Sequence, residues 1–276
     1  TQCRLSLVVV NPESLEILGH ELKSGVHIWI KIDVGTHRTG IGPSHLEEID
    51  RMMDVMDRFP LLHFSGFLGH AGHSYASRAK SEAEASYRQS VDIMSGLKKK
   101  YLSRYPLLLT SLGDTPGVSM TDDLRGVDEL RPGNFVFYDL QQQEIGSCTY
   151  DDIAVALACS VVAIHPERLQ WIIYGGGIHF AKDFMTLKDG RKCFGRMIRT
   201  NEATWTCDGI EQNPFLISLS QEHGVVQCTE ENFNWRKPGD LTLWLPVHSC
   251  MTADLMAEYL TLDGQVIDHY RKHTHP

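Results

Sequence analysis

Apolar and polar positions in the first half of the chain repeat with two different periods. Helix-like spacing of apolar residues is found at residues 44–56 and 81–101. Strand-like patterns occupy residues 5–10, 26–34, 61–68 and 107–111, and a strand-and-turn unit follows at residues 129–139. Alternation of strands with helices predicts a parallel sheet, either open or closed into a barrel.

The second half of the chain has few helical patterns. Its strand-like runs are residues 154–164, 169–174, 216–220, 224–228, 241–245 and 266–270. The change of character predicts two domains, residues 1–145 and residues 146–276. The boundary falls in the polar stretch at residues 140–152. The predicted fold class is therefore α/β, followed by a β-rich C-terminal domain.

Polar and glycine-rich residues gather just after the predicted strands of the first half. Arg38 follows the second strand, and His70, His73 and Tyr75 follow the third. The carboxyl ends of parallel strands are where α/β folds place their sites. The role of each histidine stays open, since a hydrogen-bonded support of the strand end explains the pair as well as a catalytic function does.

Two further turns could bind a phosphate. Residues 113–117, which include Asp114 and Thr115, offer a hydroxyl and backbone N–H groups at a strand end. Residues 131–134 offer a guanidinium and exposed amides. On the residues alone, an ordinary turn is the favoured explanation of either segment. Lys31 and Asp33 share one strand face, which favours a buried ion pair over a reactive amine.

His248 and Cys250 follow the apolar run at residues 241–245. If that strand continues through them, both side chains point to the same face. An imidazole and a thiolate together favour zinc, and two ligands leave positions open for a third side chain, water or substrate. The alternative is a buried cysteine beside an exposed histidine. His223, in the segment at residues 222–224, has no assigned role, because a hairpin turn explains that segment equally well.

Composition narrows the class of protein. The net charge of −9 and the isoelectric point near 5.8 argue against binding to nucleic acid or to an anionic membrane. We expect no membrane helix and no signal peptide, because no apolar run approaches twenty residues. The seven cysteines are scattered without a CxxC pair, which is typical of reduced thiols in a cytoplasmic protein.

Six motifs in order resemble the D-serine dehydratase and D-threonine aldolase group of fold-type III pyridoxal-phosphate enzymes, which are related to alanine racemase. The resemblance spans nearly the whole chain. The motifs are DVGTHRTG at residues 33–40, GHAGHSY at 69–75, GDTP at 113–116, LRPGNFVFYD at 130–139, EHG at 222–224 and PVHSCMT at 246–252.

The resemblance implies an alanine-racemase-type TIM barrel, present in part, then a β domain, in a homodimer. It places Arg38 and Tyr75 by the ring of pyridoxal 5'-phosphate. It assigns the phosphate to Thr115, Gly133 and Asn134, and zinc or another divalent cation to His248 and Cys250. The implied activity is that of a lyase on a small D-3-hydroxy amino acid, by dehydration of D-serine or aldol cleavage of D-threonine; the motifs do not choose between the two.

The chain departs from this group in one respect. The motif that carries the Schiff-base lysine has no match, and about three of the eight barrel strands are unaccounted for. Lys31 and Lys182 align with non-catalytic positions, so the catalytic residue is unassigned. We expect a fragment or a truncated relative that is inactive as this chain. The alternatives are a catalytically dead relative that binds a phosphate ligand or a protein, and an amino-acid racemase, against which the His-x-Cys pair argues.

Overall fold

The computed structural model describes residues 3–200, 204–256 and 258–269. These residues form two compact units. The first comprises the described residues up to Gly133 together with Ile145–Ser147, and the second comprises Asn134–Glu144 and the described residues from Cys148 onward. Within the described part of the chain, no helix combines the length and apolar character that crossing a membrane requires.

The first unit contains five parallel strands in chain order, and the predicted parallel sheet is confirmed. The strands are β1 (Ser6–Val9), β2 (Val26–Ile32), β3 (Leu62–Gly69), β4 (Leu109–Leu112) and β5 (Glu129–Leu130). The helices between them are α1 (Pro12–Glu21), α2 (Leu46–Arg58), α3 (Lys80–Tyr101) and α4 (Thr115–Met120).

The periodicity of the sequence explains this layer of helices and strands. In α2, Ile49, Met52, Met53 and Met56 follow the i, i+3, i+4, i+7 pattern, and all four are buried in the core. Alternate residues of β2, beginning with Val26, pack into the same core. The spacing of apolar residues therefore determines which face of each element is buried.

The strand-and-turn unit predicted at residues 129–139 contains only the two-residue strand β5. Pro132 has no N–H group to donate to a sheet, and the chain continues as a 3-10 turn, Asn134–Val136. The polar run at residues 141–144, where a domain boundary was predicted, lies within helix α5 (Leu140–Ile145).

The second unit is rich in strands, as predicted. They are β6 (Leu157–His165), β7 (Gln170–Tyr174), β8 (Met185–Thr186), β9 (Lys192–Cys193), β10 (Gly195–Thr200), β11 (Trp205–Thr206), β12 (Phe215–Leu219), β13 (His223–Gln227), β14 (Leu241–Pro246), β15 (Glu258–Leu260) and β16 (Val266–Asp268). Two short helices accompany them, α6 (Gly177–Phe180) and α7 (Ser249–Leu255). The last predicted strand, residues 266–270, extends past β16 to a residue outside the described ranges.

Six of these strands close into an antiparallel barrel. The order is β10-β12-β13-β7-β6-β14, and β14 pairs back with β10. Trp171 and Trp244 fill the barrel core and are fully buried. Each indole N–H has a partner, because Trp171 Nε1 donates to the Phe233 carbonyl at 2.9 Å and Trp244 Nε1 donates to Thr242 Oγ1 at 2.8 Å. The core therefore buries two large aromatic rings without an unpaired indole donor.

We predict that Gly66→Ala destabilises the first unit. Gly66 has a φ of +151°, and a Cβ there would lie 1.8 Å from the Leu109 carbonyl oxygen on the neighbouring strand. The expected loss is about 2–3 kcal/mol of unfolding free energy, measured by urea denaturation.

The matched control for this variant is Gly96→Ala in α3. No heavy atom lies within 4 Å of the added Cβ at this position. Because alanine favours a helix interior over glycine, we expect a gain of up to about 1 kcal/mol. Equal unfolding midpoints for the two variants would contradict the close approach of β3 to β4 at Gly66.

Candidate functional site

Hydrogen bonds join the loops that follow the central strands of the first unit. Thr36 Oγ1, after β2, donates to the His70 carbonyl at 2.6 Å and accepts from the Gly72 N–H at 2.8 Å. His70 Nδ1, after β3, contacts the Gly113 carbonyl oxygen, after β4, at 2.7 Å. Three consecutive strand ends are thereby fixed relative to one another.

The contact of His70 with a carbonyl defines the state of its ring. A carbonyl oxygen only accepts, so Nδ1 carries the hydrogen. Burial lowers the pKa of His70, and the positive charges of Arg38 and Lys31 lower it further, which together outweigh the hydrogen bond to Gly113. The ring is therefore neutral near pH 7, and the geometry favours the supporting role over a catalytic one. His73 Nδ1 is buried without a hydrogen-bond partner in the described residues.

Asp114 positions the candidate phosphate turn after β4. Its Oδ2 accepts from the Gly117 N–H at 2.6 Å, which caps α4, and also from the Ser74 hydroxyl. Burial raises the pKa of the Asp114 carboxyl, against the effect of these hydrogen bonds. Thr115, the first residue of α4, is fully buried. The cap thus fixes the backbone of Thr115.

Three cations lie near one another at the strand ends. Burial lowers the pKa of Lys31, and the positive charges of Arg38 and Arg131 lower it further. Arg131 is held in place because Nη2 donates to the Gly69 carbonyl at 2.5 Å and Nε donates to Ser111 Oγ at 2.6 Å. An anionic group would relieve the repulsion among the three charges.

The buried ion pair predicted between Lys31 and Asp33 does not form in the described structure. The Asp33 carboxylate accepts instead from the N–H groups of Gly35 and His37, both at 3.0 Å. Its ion-pair partner is the His37 ring at 3.4 Å, which is largely exposed. The loop after β2 therefore folds around Asp33 and leaves Lys31 among cations.

Tyr75 and Gly133 are in the first unit with Arg38 and Thr115. Tyr75 packs against the apolar side chains of Ala83, Met120 and Ile145. Gly133 is exposed, and no heavy atom lies within 4 Å of the position that a Cβ would take. Its backbone is therefore accessible to a ligand. Asn134 belongs to the second unit, as do His248 and Cys250.

The strand predicted at residues 241–245 does not continue through His248 and Cys250. β14 stops at Pro246, and α7 begins at Ser249 with His248 immediately before it. The condition under which strand alternation would place the two side chains on one face is therefore not met. The turn into a helix brings the two together instead, as their electrostatic interaction shows.

His248 lies between a thiol and a carboxylate. Its Nδ1 is 2.7 Å from Asp183 Oδ2. Hydrogen bonding to the Cys250 side chain and then to Asp183 raises the pKa of His248 to about 9, although burial opposes the rise. Among the described residues, no group of three or more His, Cys, Asp or Glu side chains is arranged to hold a metal ion. An ion at His248 and Cys250 would therefore need further ligands, such as water or substrate.

A buried carboxylate supports this segment from the other side. Asp139 is fully buried, and its Oδ1 accepts from the Gln142 N–H at 2.8 Å. Its Oδ2 accepts from the Ser249 N–H at 3.0 Å and from Asn134 Nδ2 at 2.6 Å. Asn134, a predicted phosphate ligand, thus shares a hydrogen-bond network with the residue between His248 and Cys250.

The sequence analysis assigned no role to the carboxylates of Asp139 and Asp183, and it left the role of residues 222–224 undecided. Asp139 ended a recognised motif but had no assigned role, and no sequence signal marked Asp183, which lies 65 positions before its partner. In the open segment, the Ser220 N–H donates to the His223 carbonyl at 2.9 Å, which closes the hairpin between β12 and β13. The segment at residues 222–224 therefore passes from a hairpin turn at Glu222 into β13, in agreement with the hairpin alternative.

Comparisons with known families match both halves of the chain. The family described as "Alanine racemase, N-terminal domain" matches residues 1–141, and the family described as "Putative serine dehydratase domain" matches residues 154–262. Similar proteins include the D-serine dehydratase of Dictyostelium discoideum, 27% identical over 93% of this chain and 66% of that protein. The D-threo-3-hydroxyaspartate dehydratase of Delftia sp. (strain HT23) is 27% identical over 98% of this chain and 73% of that protein.

Solved structures show the same fold. A D-threo-3-hydroxyaspartate dehydratase with one cysteine replaced by alanine, described as the metal-free form, superposes with a TM-score of 0.83 at 23% identity, over 96% of this chain and 72% of that one. A second variant of that enzyme has a histidine replaced two positions before that cysteine. It also superposes with a TM-score of 0.83, at 22% identity over 96% of this chain and 70% of that one. The alanine-racemase-like fold predicted from the sequence is confirmed.

We predict a pH dependence of stability that originates in part from His70. Its pKa is lowered in the folded state from an ordinary value near 6.5, so the unfolded chain binds more protons below that pH. The contribution of His70 to stability is therefore fully present above pH 6.5 and falls as the pH drops below it, by at most about 1.4 kcal/mol per pH unit for one proton. Urea denaturation at pH 5, 6 and 7.5 measures the slope.

His70→Asn keeps a donor for the Gly113 carbonyl but removes the titration. We expect a shallower fall in stability than in the wild type. His27 and His179, whose pKa values are also lowered by burial, retain their share of the effect. The control is His20→Asn, at an exposed position of α1. An unchanged slope in His70→Asn would rule out a buried neutral ring at this position.

Proposed function

This chain belongs to the alanine racemase N-terminal domain family, and we propose that it functions as a pyridoxal-phosphate- and metal-dependent lyase that dehydrates a D-3-hydroxy amino acid. The observation that carries the proposal is the His248–Cys250 pair at the start of α7, with a carboxylate beside the imidazole. The chain spans 66% of the D-serine dehydratase and 73% of the hydroxyaspartate dehydratase that it resembles. The proposal therefore concerns the intact gene product.

The charge at the strand ends supports the proposed cofactor. Lys31, Arg38 and Arg131 bring three positive charges to that region, with Glu129 3.6 Å from Arg131 and Asp33 acting on Lys31, and a phosphate is an anion that fits them. We assign Arg38 and Tyr75 to the cofactor ring, and Thr115, Gly133 and Asn134 to its phosphate. The accessible backbone at Gly133 and the fixed backbone at Thr115 suit such contacts. When bound, pyridoxal phosphate supplies an electron sink for the carbanion at the substrate Cα.

The donor set supports zinc as the metal. An imidazole nitrogen and a thiolate are ligands that zinc binds well, and a soft thiolate disfavours magnesium or calcium. The spacing of His248 and Cys250 equals the spacing of the two residues replaced in the variants of the hydroxyaspartate dehydratase, one of which is described as metal-free. A bound zinc would supply a Lewis acid for the β-hydroxyl of the substrate, which is otherwise a poor leaving group.

The residues of this chain contribute binding and orientation to the proposed reaction. The linked loops around Thr36, His70 and Gly113 hold the strand ends in place, so Arg38 and Thr115 keep their positions when a ligand arrives. On the other unit, Asp139 and Ser249 hold the turn that carries the metal pair. Both sets of contacts reduce the reorganisation that binding would otherwise require.

We also propose a homodimer that works in the cytoplasm. The support for a reducing compartment is that all seven cysteines are free thiols. The homodimer rests on the family resemblance, and light scattering of the purified protein tests it. The negative net charge supports a small-molecule substrate over nucleic acid.

The decisive experiment on function combines cofactor binding with product analysis. We expect the intact gene product to bind pyridoxal phosphate, with a visible absorption band that borohydride removes and an added mass fixed to one lysine. With zinc present, D-serine should yield pyruvate and ammonia. Release of glycine and acetaldehyde from D-threonine would point to aldol cleavage instead. A protein that neither binds the cofactor nor acts on either amino acid would refute the proposal.

We predict that His248→Ala and Cys250→Ser each abolish stoichiometric zinc binding, because one remaining protein ligand is too few to hold the ion. Zinc content after dialysis, measured by mass spectrometry, tests this. His165→Ala serves as the matched control, since His165 is a half-buried histidine of the same unit whose partner is Glu167. Zinc retained by both ligand variants would place the metal elsewhere.

A further inference from the structure

We propose that Asp183 is a positioning residue for the metal pair, which fixes the tautomer of His248 so that Nε2 binds the ion. This inference rests on the proposed metal site and deepens it. The observation that motivates it is the 2.7 Å contact between His248 Nδ1 and Asp183 Oδ2. Neither residue belongs to the strand-end region of the first unit.

The contact with Asp183 determines which ring nitrogen of His248 is available to a metal ion. An ionised carboxylate only accepts hydrogen bonds, so Nδ1 must be the donor. With its hydrogen on Nδ1, a neutral imidazole has its lone pair on Nε2. A carboxylate behind a metal-binding histidine also holds the ring plane and makes the ring a better ligand.

The loop that carries Asp183 contains a strained residue, Ala181, which its surroundings hold in one conformation. It runs from the end of α6 to β8, and Ala181 adopts φ +66° and ψ −175°. That conformation is nearly restricted to glycine, so an alanine there is strained. Surrounding contacts must hold the residue in place, and the buried position of Ala181 agrees with this.

A hydrogen bond ties this loop to the helix behind the metal pair. Thr252 Oγ1, in α7, lies 3.2 Å from the Phe180 carbonyl and 3.2 Å from the His248 carbonyl. The hydroxyl therefore bridges the loop of Asp183 and the turn of His248. These contacts link the backbone just before the Asp183 loop to the backbone of His248.

The exposure of this pair resembles that of a surface ion pair. The side chain of His248 is 29% exposed and that of Asp183 is 48% exposed. At this exposure, the attraction contributes little to the stability of the fold. Its main consequence is the orientation of the ring, which a measurement of metal affinity detects and a measurement of unfolding does not.

The test compares zinc affinity in the wild type and in Asp183→Asn, using the intact gene product and a chromophoric chelator as competitor. We expect the dissociation constant for zinc to rise about tenfold to a hundredfold. The unfolding midpoint of the metal-free protein is expected to change little. Asp189→Asn is the matched control, because Asp189 is 49% exposed, lies in the same unit and pairs with Arg191.

The ring itself gives a second readout. In zinc-loaded wild type, nitrogen NMR of the histidine side chains is expected to show His248 protonated at Nδ1, and Asp183→Asn is expected to weaken that preference. Equal zinc affinity in the wild type and Asp183→Asn, or protonation at Nε2, would overturn this inference and leave the proposed function intact. Failure of the wild type to bind zinc would overturn both.

Discussion

The start of α7 depends on a buried carboxylate. Asp139 accepts hydrogen bonds from the backbone of Gln142 and Ser249, from the Ser249 hydroxyl and from the amide of Asn134, and it also interacts electrostatically with His248. A buried charge is costly unless its oxygens are fully bonded, and the N–H groups at the starts of α5 and α7 fulfil that requirement. Two helices begin at one side chain, and the residues at the start of α7 are those assigned to the metal.

This arrangement explains why the site could be predicted from the sequence only in part. The alternating pattern of β2 and the apolar stripe of α2 depend on neighbours in the chain, and both elements appear where the sequence placed them. The end of β14 depends on a contact between Ser249 and Asp139, 110 positions apart. No local pattern records such a contact, so the sequence alone did not predict a helix at Ser249.

In the strand-end region of the first unit, too, the sequence predicts the loops but not the partner of each side chain. The loops were expected to carry polar residues, and they do, but the identity of each partner follows from the register of the sheet. His70 meets a backbone carbonyl, and Asp33 meets backbone N–H groups. Both side chains thus stabilise loops, while the charges of Lys31, Arg38 and Arg131 remain together. The motifs marked these segments as candidates without separating residues that could bind a ligand from residues that support the loops.

Closure of the β-barrel has a consequence for how the second unit resists aggregation. Each of its six strands has a hydrogen-bonded neighbour on both sides, since β14 pairs with both β6 and β10. A paired edge offers no template on which another chain could add a strand. Backbone amides in such a ring are also protected together, so their exchange with deuterium reports the opening of the whole barrel rather than the fraying of one strand.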